Sequence, residues 1–213
     1  MKMLHLSFRR HYLDLNLKKI RFFGEVIDIG GKKENTRGEF KPPLEAVNSW
    51  KYCNIDPKVS PDFLCSANEI PVSDSTFDFG IICEVIEHLE SPQEVLKEAF
   101  RIIKPKGRLI GSVPFMFPKH ADPYDFQRWT DNKLTCELEK AGFRDIEISH
   151  MGGTLAVVWD MVRVKFEGNS VLNRFSRLIL KFLSLFILSY YKGKKEQSFD
   201  NTSGFFFIAT KPD

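Results

Sequence analysis

Four short stretches of this 213-residue chain carry side chains able to do chemistry. VIDIGG presents Asp28, Gly30 and Gly31, and YCNID closes on Asp56. EVIEHL holds Glu84, Glu87 and His88, and PFMFPKHADPYDFQRWT holds His120, Asp122, Asp125 and Arg128. A glycine lets a ligand approach the backbone closely. A carboxylate offers two acceptor oxygens and suits a pair of hydroxyls. Histidine titrates near neutrality, so it can take a proton from an acceptor group as a bond forms. That makes His120 the first candidate base, with Asp125 the second. Arg128 can hold an anion such as a phosphate in a forked contact. Each has a plainer reading: Asp125 and Arg128 could tie their loop together, and His88 could pack as a structural histidine.

The elements that must position these residues alternate. Strands are expected at 25–30, 50–56, 62–65, 78–83, 108–114, 143–149 and 204–210. Ser91-Pro92-Gln93-Glu94 reads as a helix start with a capping box. Val95, Leu96, Ala99, Phe100 and Ile103 then recur at helical spacing, and Lys104-Pro105-Lys106-Gly107 stops the run. Thr130 can cap a helix to Lys140, stopped at Gly142. Such alternation predicts an α/β fold with a mainly parallel sheet and helices on both faces. Ligands of such sheets bind at the carboxyl ends of the strands, where the polar residues above fall.

Two nucleotide-loop readings fail. A dinucleotide fingerprint needs GxGxxG, but Lys32 and Asn35 stand at its second and third glycines. No Gly-Lys-Ser/Thr follows to make a phosphate-binding loop of the Walker type. The run ANEIPVSDSTFDFGIICEVIEHLESPQEVLKEAFRIIKPKGRLIGSVPF, with VIDIGG, YCNID and AGF, instead resembles the class I S-adenosylmethionine-dependent methyltransferases, and within them the type 11 group. The resemblance covers 25–150, and 204–210 is similar to the family's last strand. It implies a Rossmann-like sheet with a final antiparallel strand, preceded here by a helical insertion.

The resemblance also implies roles. Asp28, Gly30 and Gly31 would lie under the methionine part of S-adenosyl-L-methionine, and Asp56 would accept from both ribose hydroxyls. Ala67 and Asn68 would flank adenine, and Glu84 would border the cationic methyl-donor end. The chain departs from the family pattern at Lys32 and Glu34 in the glycine loop and at Ser66, where an acid is usual. Pro42-Pro43 oppose a long first helix. The 114–130 segment is similar to members associated with bacterial surface-sugar pathways. This implies a small acceptor, such as a hydroxyl of a sugar or lipid-linked sugar, with His88, Asp122 and Arg128 on the substrate side. No residue is assigned to a metal. The competing reading is a non-catalytic, methyltransferase-like binding or partner protein, motivated by the broken glycine loop.

Bulk properties fit one methyltransferase-like domain: a helical segment at 1–24, a cofactor-binding core at 25–150, a helical insertion at 151–203 and a last strand at 204–211. A net charge of +3 gives no argument for nucleic acid. Cys53, Cys65, Cys83 and Cys136 are scattered without a CxxC, as expected of reduced thiols in a cytoplasmic protein. The N-terminus lacks the continuous apolar run of a signal peptide. The longest apolar run, 178–191, is broken by Lys181 and falls short of the ~20 residues that span a bilayer. Arg174, Arg177 and Lys181 share a helical face with apolar neighbours. That helix could rest peripherally on the inner face of a membrane, or pack on the domain or in a homodimer.

Overall fold

The computed structural model describes residues 7–33, 38–120, 123–165, 182–187, 189–190 and 201–213, and in it the alternating pattern resolves into one seven-stranded sheet. The strands are β1 (Glu25–Ile29), β2 (Ser49–Asn54), β3 (Phe63–Leu64), β4 (Phe77–Cys83), β5 (Ile103–Pro114), β6 (Arg144–His150) and β7 (Gly204–Thr210). Their order is β3-β2-β1-β4-β5-β7-β6. The first five run parallel, and β7 is antiparallel to both β5 and β6. This is the mainly parallel sheet with an antiparallel last strand that the sequence implied. Val26, Ile27 and Ile29 of β1 are fully buried, as expected of a strand covered on both faces.

One face packs against α2 (Pro92–Ile102) and α3 (Asp131–Ala141), through Val95, Leu96, Ala99, Leu134 and Leu138. The ends of α3 match their reading: the Thr130 hydroxyl accepts from Lys133 N, and Gly142 leaves the helix at φ +112°. Two details of α2 differ. Ser91 stands at the cap, but its hydroxyl makes no capping bond, and the Glu94 carboxylate accepts from Asn68 Nδ2 at 3.3 Å. The Lys104–Gly107 stretch ends the helix, yet it already belongs to β5, which starts five residues earlier than expected.

The other face shows the larger departure. Between β1 and β2 the described residues hold only a 3₁₀ turn, Leu44–Ala46, where this fold usually has a long helix. Pro42 and Pro43 lack amide donors and fix their own φ, which opposes one. The apolar surface of Val26, Trp50, Tyr52 and Phe79 is covered instead by α1 (Phe8–Lys19) and α4 (Thr154–Lys165). Phe8, Tyr12, Leu13 and Leu17 of α1 are buried there. Asp160, fully buried in α4, accepts from the first-turn amides of Phe8 at 2.8 Å and Arg9 at 3.1 Å. Ser7 accepts from Arg10 N at 3.1 Å. The open donors of a helix start are thus met from two directions.

Of the expected basic helix, residues 174–181 lie outside the described residues. Residues 182–187 and 189–190 are helical, and Phe182 and Phe186 are exposed. Among the described residues no helix is long and apolar enough to cross a membrane.

Asp160→Ala removes the acceptor for two buried amides. It should cost about 2–4 kcal/mol of stability, the scale of losing charge-assisted hydrogen bonds in a dry setting. Urea unfolding checks this, and a midpoint equal to that of the parent chain would contradict the role given to Asp160.

Candidate active site

At the end of β1 the chain must turn under the sheet edge. Gly30 does so at φ +78°, and an added Cβ would lie 2.5 Å from Val85 Cγ2. A Cβ on Gly31 would lie 2.2 Å from the Asp28 carboxyl carbon. Gly30 therefore needs glycine for conformation, and a side chain at Gly31 would have to displace the Asp28 carboxyl. The turn is held from β2: Gly30 N donates to Cys53 O at 2.7 Å, and Asn54 Nδ2 donates to Gly30 O at 3.1 Å and Gly31 O at 3.0 Å. Asn54 Oδ1 in turn accepts from Asp56 N at 3.0 Å. On the far side of the loop, buried Asp14 of α1 accepts from Glu39 N at 2.6 Å. Among the described residues between β1 and β2, the only helical piece is the 3₁₀ turn Leu44–Ala46.

Asp56 sits just past β2 and caps the 3₁₀ turn Pro57–Val59, one oxygen accepting from Lys58 N at 3.0 Å. The second oxygen takes no part in that cap. Glu84, the first residue past β4, is left-handed at φ +59°, a conformation that costs a non-glycine residue on the order of 1 kcal/mol. Its carboxylate accepts from Ser112 Oγ at 2.8 Å and pairs with Arg9 of α1. Burial lowers the Arg9 guanidinium to about 10, against the pull of Glu87 and Asp160. Its charge also lies 3.9 Å over the Phe117 ring.

These strand ends enclose a cavity of about 590 Å³, within the ~300–1,000 Å³ of small-molecule pockets. Asp28, Gly30, Gly31, Asp56, Ala67 and Glu84 line it. Asn68 does not, being turned outward to Glu94. Arg10, Lys32, Tyr52, Asn54 and Cys83 also line the cavity and were missed from the sequence. Asn54 carried a readable signal, an amide two residues before an acid at a strand end. Arg10 carried none, since only the packing of α1 brings it there. Burial pushes the Asp28 carboxyl up to about 7, with the Arg10 guanidinium pulling it the other way.

At the opposite wall, His88 lines the cavity together with Pro123. His88 Nδ1 is 2.6 Å from Tyr124 O. A carbonyl only accepts, so the contact suits a proton on Nδ1. Gln127 stitches the 115–130 segment down by donating to Ile86 O at 3.0 Å and Leu89 O at 2.9 Å. Asp122 lies outside the described residues. His120, Asp125 and Arg128 do not reach the cavity wall. Arg128 forks onto Asp125, with Nη2 2.6 Å from Oδ2, and Asp125 also accepts from His120 N at 2.9 Å. Arg128 holds the Asp125 carboxyl down to about 2. Asp125 and Arg128 thus engage each other, the plainer reading in which the pair ties its loop together. His120 directs Nε2 at Glu87, 3.6 Å away.

Residues 44–111 match the family model described as a methyltransferase domain. The ubiquinone/menaquinone biosynthesis C-methyltransferase UbiE of Rickettsia felis is 40% identical over 132 residues, covering 47% of this chain and 53% of that protein. The chain thus spans about half the length of this curated relative. A SAM-dependent methyltransferase of Thermotoga maritima superposes with a TM-score of 0.62 at 15% identity, over 98% of this chain and 92% of the other. Phosphoethanolamine N-methyltransferase 2 of Haemonchus contortus, in complex with S-adenosyl-L-methionine, gives 0.58 at 17%, over 94% and 52%. At these identities the structural likeness is one of fold.

Because its folded value is raised, Asp28 holds a proton that the unfolded chain releases near the usual carboxylate range of about 4. This contribution to stability falls as pH rises from about 4 to about 7 and is level above. Asp28→Asn should flatten that window in thermal unfolding. An unchanged pH profile would contradict the buried carboxyl.

Proposed function

We propose, for a chain with the class I methyltransferase fold whose residues 44–111 match a methyltransferase-domain family, that the strand-end cavity binds S-adenosyl-L-methionine and that the protein is a methyltransferase. The observation carrying this is the convergence of Asp28, Gly30, Gly31, Asp56, Ala67 and Glu84 on one cavity. The residue types suit the ligand. Gly30 and Gly31 leave room for the methionine tail, and Arg10 and Lys32 are cations for its carboxylate. Asp28 is an acceptor for its ammonium, and ionisation of Asp28 favours that contact. Asp56 keeps an oxygen for the ribose diol. Ala67, Val85 and Leu89 are apolar wall for the base, and Glu84 is an acid for the sulfonium end.

When bound, S-adenosyl-L-methionine supplies an electrophilic methyl group. Transfer is an in-line displacement, so the chain's work is to orient the acceptor and exclude water. His88, rather than His120, is the imidazole at the acceptor wall. For the acceptor we propose a small hydroxylated molecule, in the finer reading a sugar or lipid-linked sugar of surface polysaccharide synthesis. Tyr124 and Phe126 support it: they are exposed, 5.5 Å apart, and follow the wall residue Pro123, a surface on which a sugar's apolar face can stack. The relative's own name specifies a carbon acceptor, so methylation at carbon is the alternative. For location we propose peripheral contact with a membrane, for which exposed Phe182 and Phe186 are apolar surface.

Calorimetry with S-adenosylhomocysteine tests the cofactor assignment. Binding in the micromolar range is expected, weakened about tenfold or more by Asp56→Ala, which removes hydrogen bonds to a diol. Absence of binding by the folded chain at millimolar ligand would favour the non-catalytic reading.

A further inference from the structure

Beside the cavity lies a group that the cofactor assignment leaves unused. Glu87 is 1% exposed, and neither carboxylate oxygen has a hydrogen-bond partner among the described residues. A buried carboxylate left this way is costly, because nothing replaces its lost hydration. Two imidazoles face it: His120 Nε2 is 3.6 Å and His88 Nε2 3.7 Å from Glu87 Oε1. These separations are too long for hydrogen bonds. They are close to what a shared cation imposes, since metal bonds of ~2.0–2.2 Å at tetrahedral angles set donors about 3.3–3.6 Å apart. One ligand atom from each of Glu87, His88 and His120 can lie within 4.8 Å of the other two.

The far side of each ring strengthens the case. His88 Nδ1 rests on Tyr124 O at 2.6 Å, and His120 Nδ1 lies 3.3 Å from Pro118 O and 3.8 Å from Asp125 Oδ2. On both rings Nδ1 faces a carbonyl and can donate outward, which leaves Nε2 as the atom facing Glu87. Metal-ligating histidines are oriented in just this manner, with the outer N–H on a carbonyl or carboxylate. Arg9 adds positive charge near Glu87 without donating a hydrogen bond to it. The backbone holds the set in place, since Phe126 N donates to Glu87 O at 2.8 Å.

We propose that Glu87, His88 and His120 bind one divalent transition-metal cation, with an open coordination position toward the cavity for an acceptor oxygen. Two histidines and a carboxylate with an open position are the donor set of catalytic zinc sites, and the mixed N/O set also suits manganese or iron. His88 belongs to both the cluster and the cavity wall, which puts the cation at the acceptor end. The role rests on the methyltransferase reading. A cation-bound acceptor hydroxyl loses its proton to water more readily. Its oxygen lone pair then forms the new C–O bond as the methyl's C–S bond breaks, the electron pair staying on sulfur. The ligand class is thus a hydroxylated acceptor, best one with a second oxygen to chelate.

The test uses the full chain, stripped with a chelator and titrated with Mn²⁺ and Zn²⁺ by calorimetry and with Co²⁺ by visible absorption. One site per chain is expected, with a Co²⁺ spectrum of low-symmetry N/O coordination. Glu87→Gln and His120→Gln should each weaken binding about tenfold or more, with circular dichroism unchanged. Absence of metal binding by the folded parent chain, or Co²⁺ binding unaltered by Glu87→Gln, would overturn the site. S-Adenosylhomocysteine binding is measured on the same samples. Its loss with metal binding intact would overturn the cofactor reading while upholding the cation site.

Discussion

The pairing of Arg9 with Glu84 is the contact on which the rest of this site depends. Three carboxylates, Asp28, Glu84 and Glu87, meet where β1 and β4 end. Burial deprives such groups of hydration, and it raises the Asp28 carboxyl and hides Glu87 from solvent. Two consecutive residues of α1 answer them, Arg9 toward Glu84 and Arg10 toward Asp28. The helix that covers the sheet is therefore also the counter-charge of the cavity edge. Asp160 matters for the same reason, because it fixes the end of α1 that carries both arginines.

That arrangement explains how a loop lacking the usual glycines can still form a floor. In many such sheets a helix starts under the ligand and lends its amide donors. Here no such helix follows β1 among the described residues, and the turn is made by two tightly packed glycines, Asn54 and Asp14. Fixed side chains and arginine charge replace the helix terminus. The left-handed Glu84 belongs to the same design, since strain of that kind persists where surrounding contacts over-determine it.

What could be read from the sequence follows physical range. Strands and helix ends are local, so α3 with Thr130 and Gly142, and β7 at 204–210, were legible. Asp28, Gly30, Asp56 and Glu84 were legible because strand ends gather polar groups in this fold class. Arg9, Arg10 and Asp160 were not, because their meaning is created by packing across the whole chain. The 115–130 segment was half legible. The spacing announced a cluster, but not which way its side chains turn: Asp125 and Arg128 close on each other, while His120 faces Glu87. The capping box at Ser91 and Glu94 did not form: the Ser91 hydroxyl makes no capping bond, and the Glu94 carboxylate accepts from Asn68.

The most direct test is a crystal structure of the chain with S-adenosylhomocysteine bound. The ligand is expected in the strand-end cavity, its ribose hydroxyls on Asp56, its amino-acid tail over Gly30 and Gly31 beside Arg10, and its sulfur toward Glu84. Ligand bound elsewhere, or a cavity left empty by a saturating ligand, would contradict the assignment of this edge as the cofactor site.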